Sequence, residues 1–430
     1  MMLRTLCLAL GCSMPLLVGQ AALAQTQNTG QPSRSESPVG LTAMAIDDEL
    51  RTSILRVLEI EGGAVTGEDG LGVRVRYERG ELVALVRVSA STDVSKGVGV
   101  RDAGRDTLAS LERLRVRASS LTAGFLTTTD GRRYTGRLGV RSGSASGDAI
   151  PEDVVIWMEQ EMDYEFPLEE VASVVLNGAP ASVRLALPKD VASDTLLLTN
   201  GDVLEGFLAS IADEVVLERD DGGETRLEAE RINAVVLANP AKERPSVMAW
   251  LDDGSLLGGD RLTTKDGRSV SDMPDAPTQM WIPLERVRAV TLRGDRITPL
   301  SALSVASGRV ELSAHPDDAL LERTPALGAR DVLLEGGSET VFTLPAGTQR
   351  FAATPMLERG SSSWADCVVV VLVDGVEAVR VPLRGGASIE SVNIALPPES
   401  LEMTVRVEEG RFGTIHDRVR LSRPLILTED

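Results

Sequence analysis

Basic side chains are scarce in this chain of 430 residues: 44 Lys and Arg stand against 64 Asp and Glu, for a formal net charge of −20. Phosphate backbones are held by Lys and Arg, and anionic lipid attracts polybasic segments. The balance therefore argues against nucleic acid or an acidic membrane surface as a partner. Histidine is rarer still, with only His315 and His416. There are no paired cysteines, no His-Glu-x-x-His and no Gly-x-Ser-x-Gly, so zinc and serine-triad chemistry have no handle. A Gly-x-x-x-x-Gly-Lys phosphate loop is missing too, and no cofactor is expected. A glycosidase needs two carboxylates across one bond, and nothing singles out such a pair among the 64 acidic residues. The chain reads as a non-catalytic protein that binds or scaffolds.

Cysteine is equally sparse. Cys7 and Cys12 fall in an apolar run, Leu6 to Leu17, behind Arg4 and ahead of Ala22-Leu23-Ala24. Charge, apolar stretch and small residues in that order predict a signal peptide over residues 1–24 and a periplasmic or extracellular mature protein. The alternative is a membrane anchor. Gly11, Ser13, Pro15, Gly19 and Gln20 interrupt the stretch, whereas a span needs about 20 apolar residues. No later stretch is long and apolar enough, so no transmembrane span is expected in the mature chain. Cleavage after Ala24 leaves Cys367 alone, which rules out an internal disulfide. Set in Cys-Val-Val-Val-Val-Leu-Val, it reads as a small apolar core residue.

What the chain does have is rhythm. Residues 25–40, rich in Ser, Gln, Pro and Gly, suggest a flexible linker. Over 41–62, Leu50, Ile54 and Leu58 recur at helical spacing behind Asp47, predicting one amphipathic helix. From 63 to 297 a pattern repeats: an apolar strand, an Asp-Gly or Asn-Gly turn, a second strand with Gly, and a closing Leu-Glu step before a β-branched strand. The turns are Asp130-Gly131, Asn200-Gly201 and Asp253-Gly254; the closings are Val171–Leu176, Ile232–Leu237 and Val287–Leu292. Such turns favour tight hairpins. Three clear units (121–180, 194–240, 246–297) and a weaker one (63–120) are expected as small bent sheets or barrels, similar in rhythm to SH3-like or Sm-like folds. Lys265 to Thr278 reads as an exposed loop and 298–324 as a linker.

The texture changes over 325–430, where seven or eight short strands separated by Asp374-Gly375, Gly385-Gly386 and Glu409-Gly410 predict a β-sandwich. The whole fold class is thus all-β: tandem small barrels, one N-terminal helix, and a C-terminal jelly-roll-like sandwich. The order Val341–Phe351, Val368–Gly375, Val381–Gly386, Val392–Leu396, Leu401–Val407 and then His416-Asp417 resembles the NPCBM domain, the carbohydrate-binding type found beside family 98 glycoside hydrolases. The layout with hairpin repeats in front is similar to exported proteins of planctomycete-type bacteria. The resemblance covers roughly a quarter of the chain. It implies a sandwich gripping a glycan or polysaccharide through loops at one end, with Asp374 and Gly375 at the family's hairpin turn and Asp417 at its late acidic position. Leu421 stands where the family carries an aromatic.

Aromatic residues make up only 3% of the chain, yet a sugar site usually needs an aromatic face and a few fixed polar groups. Trp364 and Phe412 are the candidate aromatic contacts, and Asp366, His416 and Asp417 the polar ones. The competing reading has Trp364 and Phe412 plugging the sandwich ends and Asp417 capping a turn or holding Arg418 or Arg420. Calcium would suit loop carboxylates, but the dense Asp ladder of a dedicated calcium loop is missing, and no metal is assigned. Two functions remain open: glycan binding, or a structural role among envelope proteins.

Overall fold

Asp130-Gly131, Asn200-Gly201 and Asp253-Gly254 each close a hairpin, with the glycine at φ of 84°, 92° and 92°. Only glycine enters that region without strain. The computed structural model describes residues 41–88, 123–139, 153–159, 162–179, 187–188, 191–219, 222–259, 261–265, 268–272, 280–313, 325–358, 365–384, 391–411, 413–414 and 417–429. Apart from short 3₁₀ turns, all the elements described are strands. The expected signal peptide, the whole 25–40 linker, residues 89–122, Trp364, Phe412 and His416 lie outside the described residues.

Four repeats share one topology. Repeat I holds β1 (Leu41–Asp47), β2 (Thr52–Glu61), β3 (Ala64–Asp69), β4 (Arg74–Tyr77) and β5 (Leu82–Arg87). Repeat II holds β6 (Gly124–Thr128), β7 (Arg133–Leu138), β8 (Val154–Glu159), β9 (Met162–Pro167) and β10 (Val171–Val175). Repeat III holds β11 (Asp194–Leu198), β12 (Val203–Ile211), β13 (Glu214–Glu218), β14 (Glu224–Glu228) and β15 (Ile232–Val236). Repeat IV holds β16 (Val247–Leu251), β17 (Leu256–Gly259), β18 (Arg261–Lys265), β19 (Arg268–Asp272), β20 (Met280–Pro283) and β21 (Val287–Thr291). In each, the first strand lies between the second and the last, and the remaining strands follow in antiparallel order. The Leu-Glu steps become 3₁₀ turns at Leu168–Glu170, Ala229–Arg231 and Leu284–Arg286. First and last strands share a register shift at the same place in all four repeats: Ile46/Asp47, Val171/Ser173, Leu197/Leu198 and Trp250/Leu251.

Three expectations need correction. The Lys265 to Thr278 stretch is not simply a loop: Lys265 ends β18, and Arg268–Asp272 form β19, paired with β18 and β20. Residues 41–62 form β1 and β2, not a helix, and the first repeat begins at 41 rather than 63. The period-two set Leu41, Ala43, Ala45 and Leu55, Val57 is buried, whereas the helical set splits: Leu50 is buried and Ile54 is 49% exposed. Asp47 does cap, but it caps a turn. Its carboxylate accepts from the Glu49 and Arg51 amides at 2.9 and 2.8 Å. The stretch 298–324 is not simply a linker either. It supplies most of β22 (Ile297–Pro299), and all of β23 (Val305–Ser307) and β24 (Glu311–Ser313), to the sandwich.

The repeats join through equivalent strands. β5 of repeat I pairs with β21 of repeat IV, Leu85 opposite Val290. β10 of repeat II pairs with β15 of repeat III, Val174 opposite Val235. Leu85, Val174, Val235 and Val290 hold the same place in their own repeats, opposite Ala45, Leu126, Leu196 and Ala249. Each junction is therefore a local pseudo-two-fold. Repeats II and IV meet at a third one, Arg133 opposite Leu256. The series runs I–IV–II–III.

The sandwich adds β25 (Asp331–Leu334), β26 (Glu339–Thr343), β27 (Thr348–Leu357), β28 (Asp366–Val373), β29 (Val376–Arg384), β30 (Val392–Ala395), β31 (Glu402–Glu408) and β32 (Val419–Thr428). One sheet is ordered β24-β25-β32-β27-β30, the other β23-β26-β31-β28-β29, and β22 pairs with β32. Alternate residues such as Phe342, Phe351, Val369, Val371, Val405 and Ile426 fill the space between them. A separate apolar cluster seals the sandwich onto repeats I and IV: Leu50, Val86, Met248, Trp250 and Ala289 meet Ile297, Leu327, Leu425 and Leu427.

Volume is traded between equivalent sites. A Cβ on Gly206 would collide with the Glu218 carbonyl and come within 3.0 Å of the Leu217 side chain. In repeat II the pair is Gly136 and Trp157; in repeat I it is inverted, with Leu55 pressing on Gly67 at 2.7 Å from an added Cβ. Gly206→Ala is expected to lower the unfolding free energy by about 2 kcal/mol, measured by urea denaturation of the full chain.

Electrostatic strain concentrates where II meets IV. The Glu159 carboxyl has one oxygen buried without a hydrogen-bond partner. Burial, and then the neighbouring Asp253 charge, push its pKa from 4.5 up to about 7, against the pull of Arg286. The folded protein thus holds a proton that the unfolded chain has already released, so this group's effect is to erode stability as pH rises from 4.5 through about 7. Glu159→Gln is expected to match the parent below that window and to be more stable by about 1–3 kcal/mol above it, read from denaturation at both ends of the range.

Candidate functional site

β28 begins and β29 ends at one rim of the sandwich, where Asp366 pairs with Arg384. The same rim carries the end of β27 and the start of β32, with Leu357 opposite Val419. The apolar seal to the repeats gathers instead around Leu425, Leu427 and Ile297, toward the other end of β32. The rim bearing Asp366 therefore points away from the repeats.

Asp417 organises this rim. Its side chain is buried, and its carboxylate accepts from the amides of Asp366 at 3.3 Å and Gly410 at 3.2 Å. Gly410 and Gly336 leave the space it needs: a Cβ on Gly410 would strike the Asp366 carbonyl, and one on Gly336 would come within 2.7 Å of the Asp417 Cβ. Gly410 and Gly413 are joined by an isolated bridge. Asp417 thus ties Gly410 to the start of β28. Asp366 is different: its side chain is 35% exposed, and its nearest charged partner is the Arg384 Nε at 3.7 Å. Cys367, fully buried beside them, has its thiol pushed up to about 12 by burial and then by the charges of Asp417 and Asp366. It is a core residue with no nucleophilic character at neutral pH.

The structure therefore brings Asp366 and Asp417 together and separates their jobs. Trp364 immediately precedes Ala365, which is buried, and Phe412 and His416 belong to the segment that Arg411, Gly413, Thr414 and Asp417 frame. Those three side chains lie outside the described residues. Asp374, at φ 47° in its hairpin, is at the opposite rim, where its carboxylate accepts from the Leu401 and Glu402 amides at 3.1 and 3.0 Å. Sequence reasoning did not anticipate the ion pairs beside the first rim. Arg418 meets Glu311, Glu335 and Glu358, and Arg420 reaches the buried Asp331 at 3.0 Å. The only sequence signal for them is the i, i+2 spacing of Arg418, just ahead of β32, and Arg420 within it. Among the described residues no group of three His, Cys, Asp or Glu is placed to hold a metal ion.

No family model matches the chain, and no curated protein matches it either. Several solved structures are similar. One is the CBM51 module from a Clostridium perfringens GH95 protein in complex with methyl-galactose: 14% identity over 30% of this chain and 99% of that one, TM-score 0.26. Another is the pair of tandem CBM51 modules of a Streptococcus pneumoniae family 98 glycoside hydrolase: 12% identity, 71% and 88% covered, TM-score 0.26. A third is a CBM36 module in complex with calcium and xylotriose: 10% identity, 30% and 96% covered, TM-score 0.21. Likenesses at these scores carry no weight for function, which rests on the chain's own residues.

Asp417→Ala would leave two inward-facing amides without an acceptor. A loss of about 1–3 kcal/mol is expected, with the Asn variant losing less, measured as a shift in the urea midpoint.

Proposed function

We propose that this is an exported, non-catalytic protein that binds glycan through the rim of its C-terminal sandwich, with the four repeats as scaffold. The observation that carries the reading is the placement of that rim: its Asp366 carboxylate is partly exposed, and the apolar seal to the repeats lies elsewhere on the sandwich. Asp417, committed to two backbone amides, serves as a positioning residue that holds Gly410, just ahead of Phe412. Asp366 is the polar contact, Trp364 and Phe412 supply aromatic faces for the apolar side of a sugar ring, and His416 supplies a second polar group. The resemblance of residues 325–430 to the NPCBM domain points the same way.

A second reading keeps the sandwich as a packing module of an envelope protein. The continuous apolar seal between sandwich and repeats favours it. The two separate on a polysaccharide pull-down and glycan array with the full chain. Binding that drops at least about tenfold in Trp364→Ala, Phe412→Ala and Asp366→Asn, with melting temperatures kept, is expected. Retention on no glycan at all would leave the packing role standing.

A further inference from the structure

The three junctions along the repeats alternate in kind, and the alternation leaves two ends open. Repeats I and IV, and II and III, meet last strand to last strand. Repeats II and IV meet through the start of the second strand, Arg133 opposite Leu256. Thr52 of repeat I and Val203 of repeat III hold that same place, opposite Ile46 and Leu197 as Arg133 and Leu256 are opposite Thr127 and Trp250. Neither is used. β2 gains its second neighbour only from Leu55 onward, and β12 only from Phe207 onward. Among the described residues, 52–54 and 203–206 therefore have a bare strand edge.

Each edge also carries exposed apolar side chains, five of the nine large ones among the described residues; the other four, Val305, Leu312, Val376 and Leu401, belong to the sandwich. Ile54 (49% exposed), Leu71 (89%) and Val73 (55%) surround the repeat I edge, since the turn holding Leu71 and Val73 starts at Asp69, opposite Leu55. Val203 (52%) and Phe207 (65%) mark the repeat III edge. The place of Phe207 is taken in repeats I and II by Arg56 and Arg137. A bare edge with apolar side chains is a template for pairing with another chain.

We infer that these edges pair with each other between copies: repeat I of one molecule docks on repeat III of the next, in trans, as II docks on IV within the chain. Charge disfavours pairing of repeat III with itself and favours repeat III with repeat I. At the internal junction Thr135 of repeat II faces the repeat IV turn, its amide donating to the Ser255 Oγ at 3.2 Å and its hydroxyl to the Asp253 carbonyl at 3.1 Å. Glu205 holds the Thr135 position in repeat III. Ser255 corresponds to Asp202 in repeat III and to Arg51 in repeat I, each accepting from the strand residue before its turn. Joining III to III would set Glu205 against Asp202. Joining III to I sets Glu205 beside Arg51, which is exposed and already shared by Asp47 and Glu49. The contact is heterologous, so it extends head to tail.

Sedimentation of the full chain tests this. Self-association with an apparent Kd on the order of tens of micromolar is expected, weakened at least about tenfold by Ile54→Lys or by Phe207→Lys alone. Mixing the two variants restores one 1:1 dimer and nothing larger, because each keeps the edge the other has lost. Both changes are on the surface, so circular dichroism and melting temperature should match the parent. A parent chain that stays monomeric up to about 500 µM overturns the inference. So does association that survives in Ile54→Lys alone, which would mean III pairs with III, or in Phe207→Lys alone, which would mean I pairs with I.

Discussion

The last strand of each small barrel is the constraint from which the assembly follows. It is paired on one side by the first strand and bare on the other, and unpaired backbone groups in an apolar setting are costly. The chain resolves this by setting last strands against each other at equivalent residues, Leu85 on Val290 and Val174 on Val235. The joined strands present an apolar outer face. Val86 and Ala289 of one pair correspond in register to Val175 and Ala234 of the other. On the first pair that face is covered by the sandwich, through Leu327, Leu425 and Leu427. On the second, Ala179 and Leu187 of the connecting segment pack beside Phe125 and Val175. The sandwich is thus seated on a face made by strand pairing far away in sequence, with β5 at Leu82–Arg87 and β32 at Val419–Thr428.

Where one repeat departs from its siblings, it touches something they do not. Leu50 sits at φ 55° in the place of Gly131, Gly201 and Gly254. A bulky residue in that region is strained. Its side chain is buried in the seal against the sandwich, an environment the glycines lack. Asn393 of the sandwich donates to the carbonyl of the preceding Glu49 at 2.9 Å. The inverted pair Leu55 and Gly67 follows the opposite logic: it preserves the summed volume at a site every repeat must fill, as close-packed interiors require.

The same residues explain what the sequence made legible. Hairpins II, III and IV were readable because Asp-Gly and Asn-Gly announce a tight turn locally. Repeat I was not, because Leu50 replaces the signalling glycine and the turn is held by the Asp47 carboxylate instead. With the turn hidden, the spacing of Leu50, Ile54 and Leu58 mimicked a helix. The sandwich strands were legible from alternation, but β23 and β24 were too short and polar to stand out and acquire their state by pairing with β26 and β25. At the candidate site, Asp366 and Asp417 were identifiable as acidic residues at strand ends. Their division into an exposed group and a buried clamp depends on Gly336 and Gly410, whose missing side chains matter only once the strands are packed.

The two ends of the scaffold and the rim of the sandwich bear on each other through numbers of contacts. A single-sugar site with few aromatic residues gives modest affinity, and a strand edge three or four residues long gives modest affinity for a second chain. Polysaccharide is itself repetitive. Copies joined through repeats I and III would carry one rim per molecule along a common scaffold, turning every binding event after the first into a local one. Acidic charge in excess by 20 over the whole chain opposes close packing of copies. Any such association must therefore be steered by local complementarity of the kind Glu205 and Arg51 provide, since general adhesion is disfavoured.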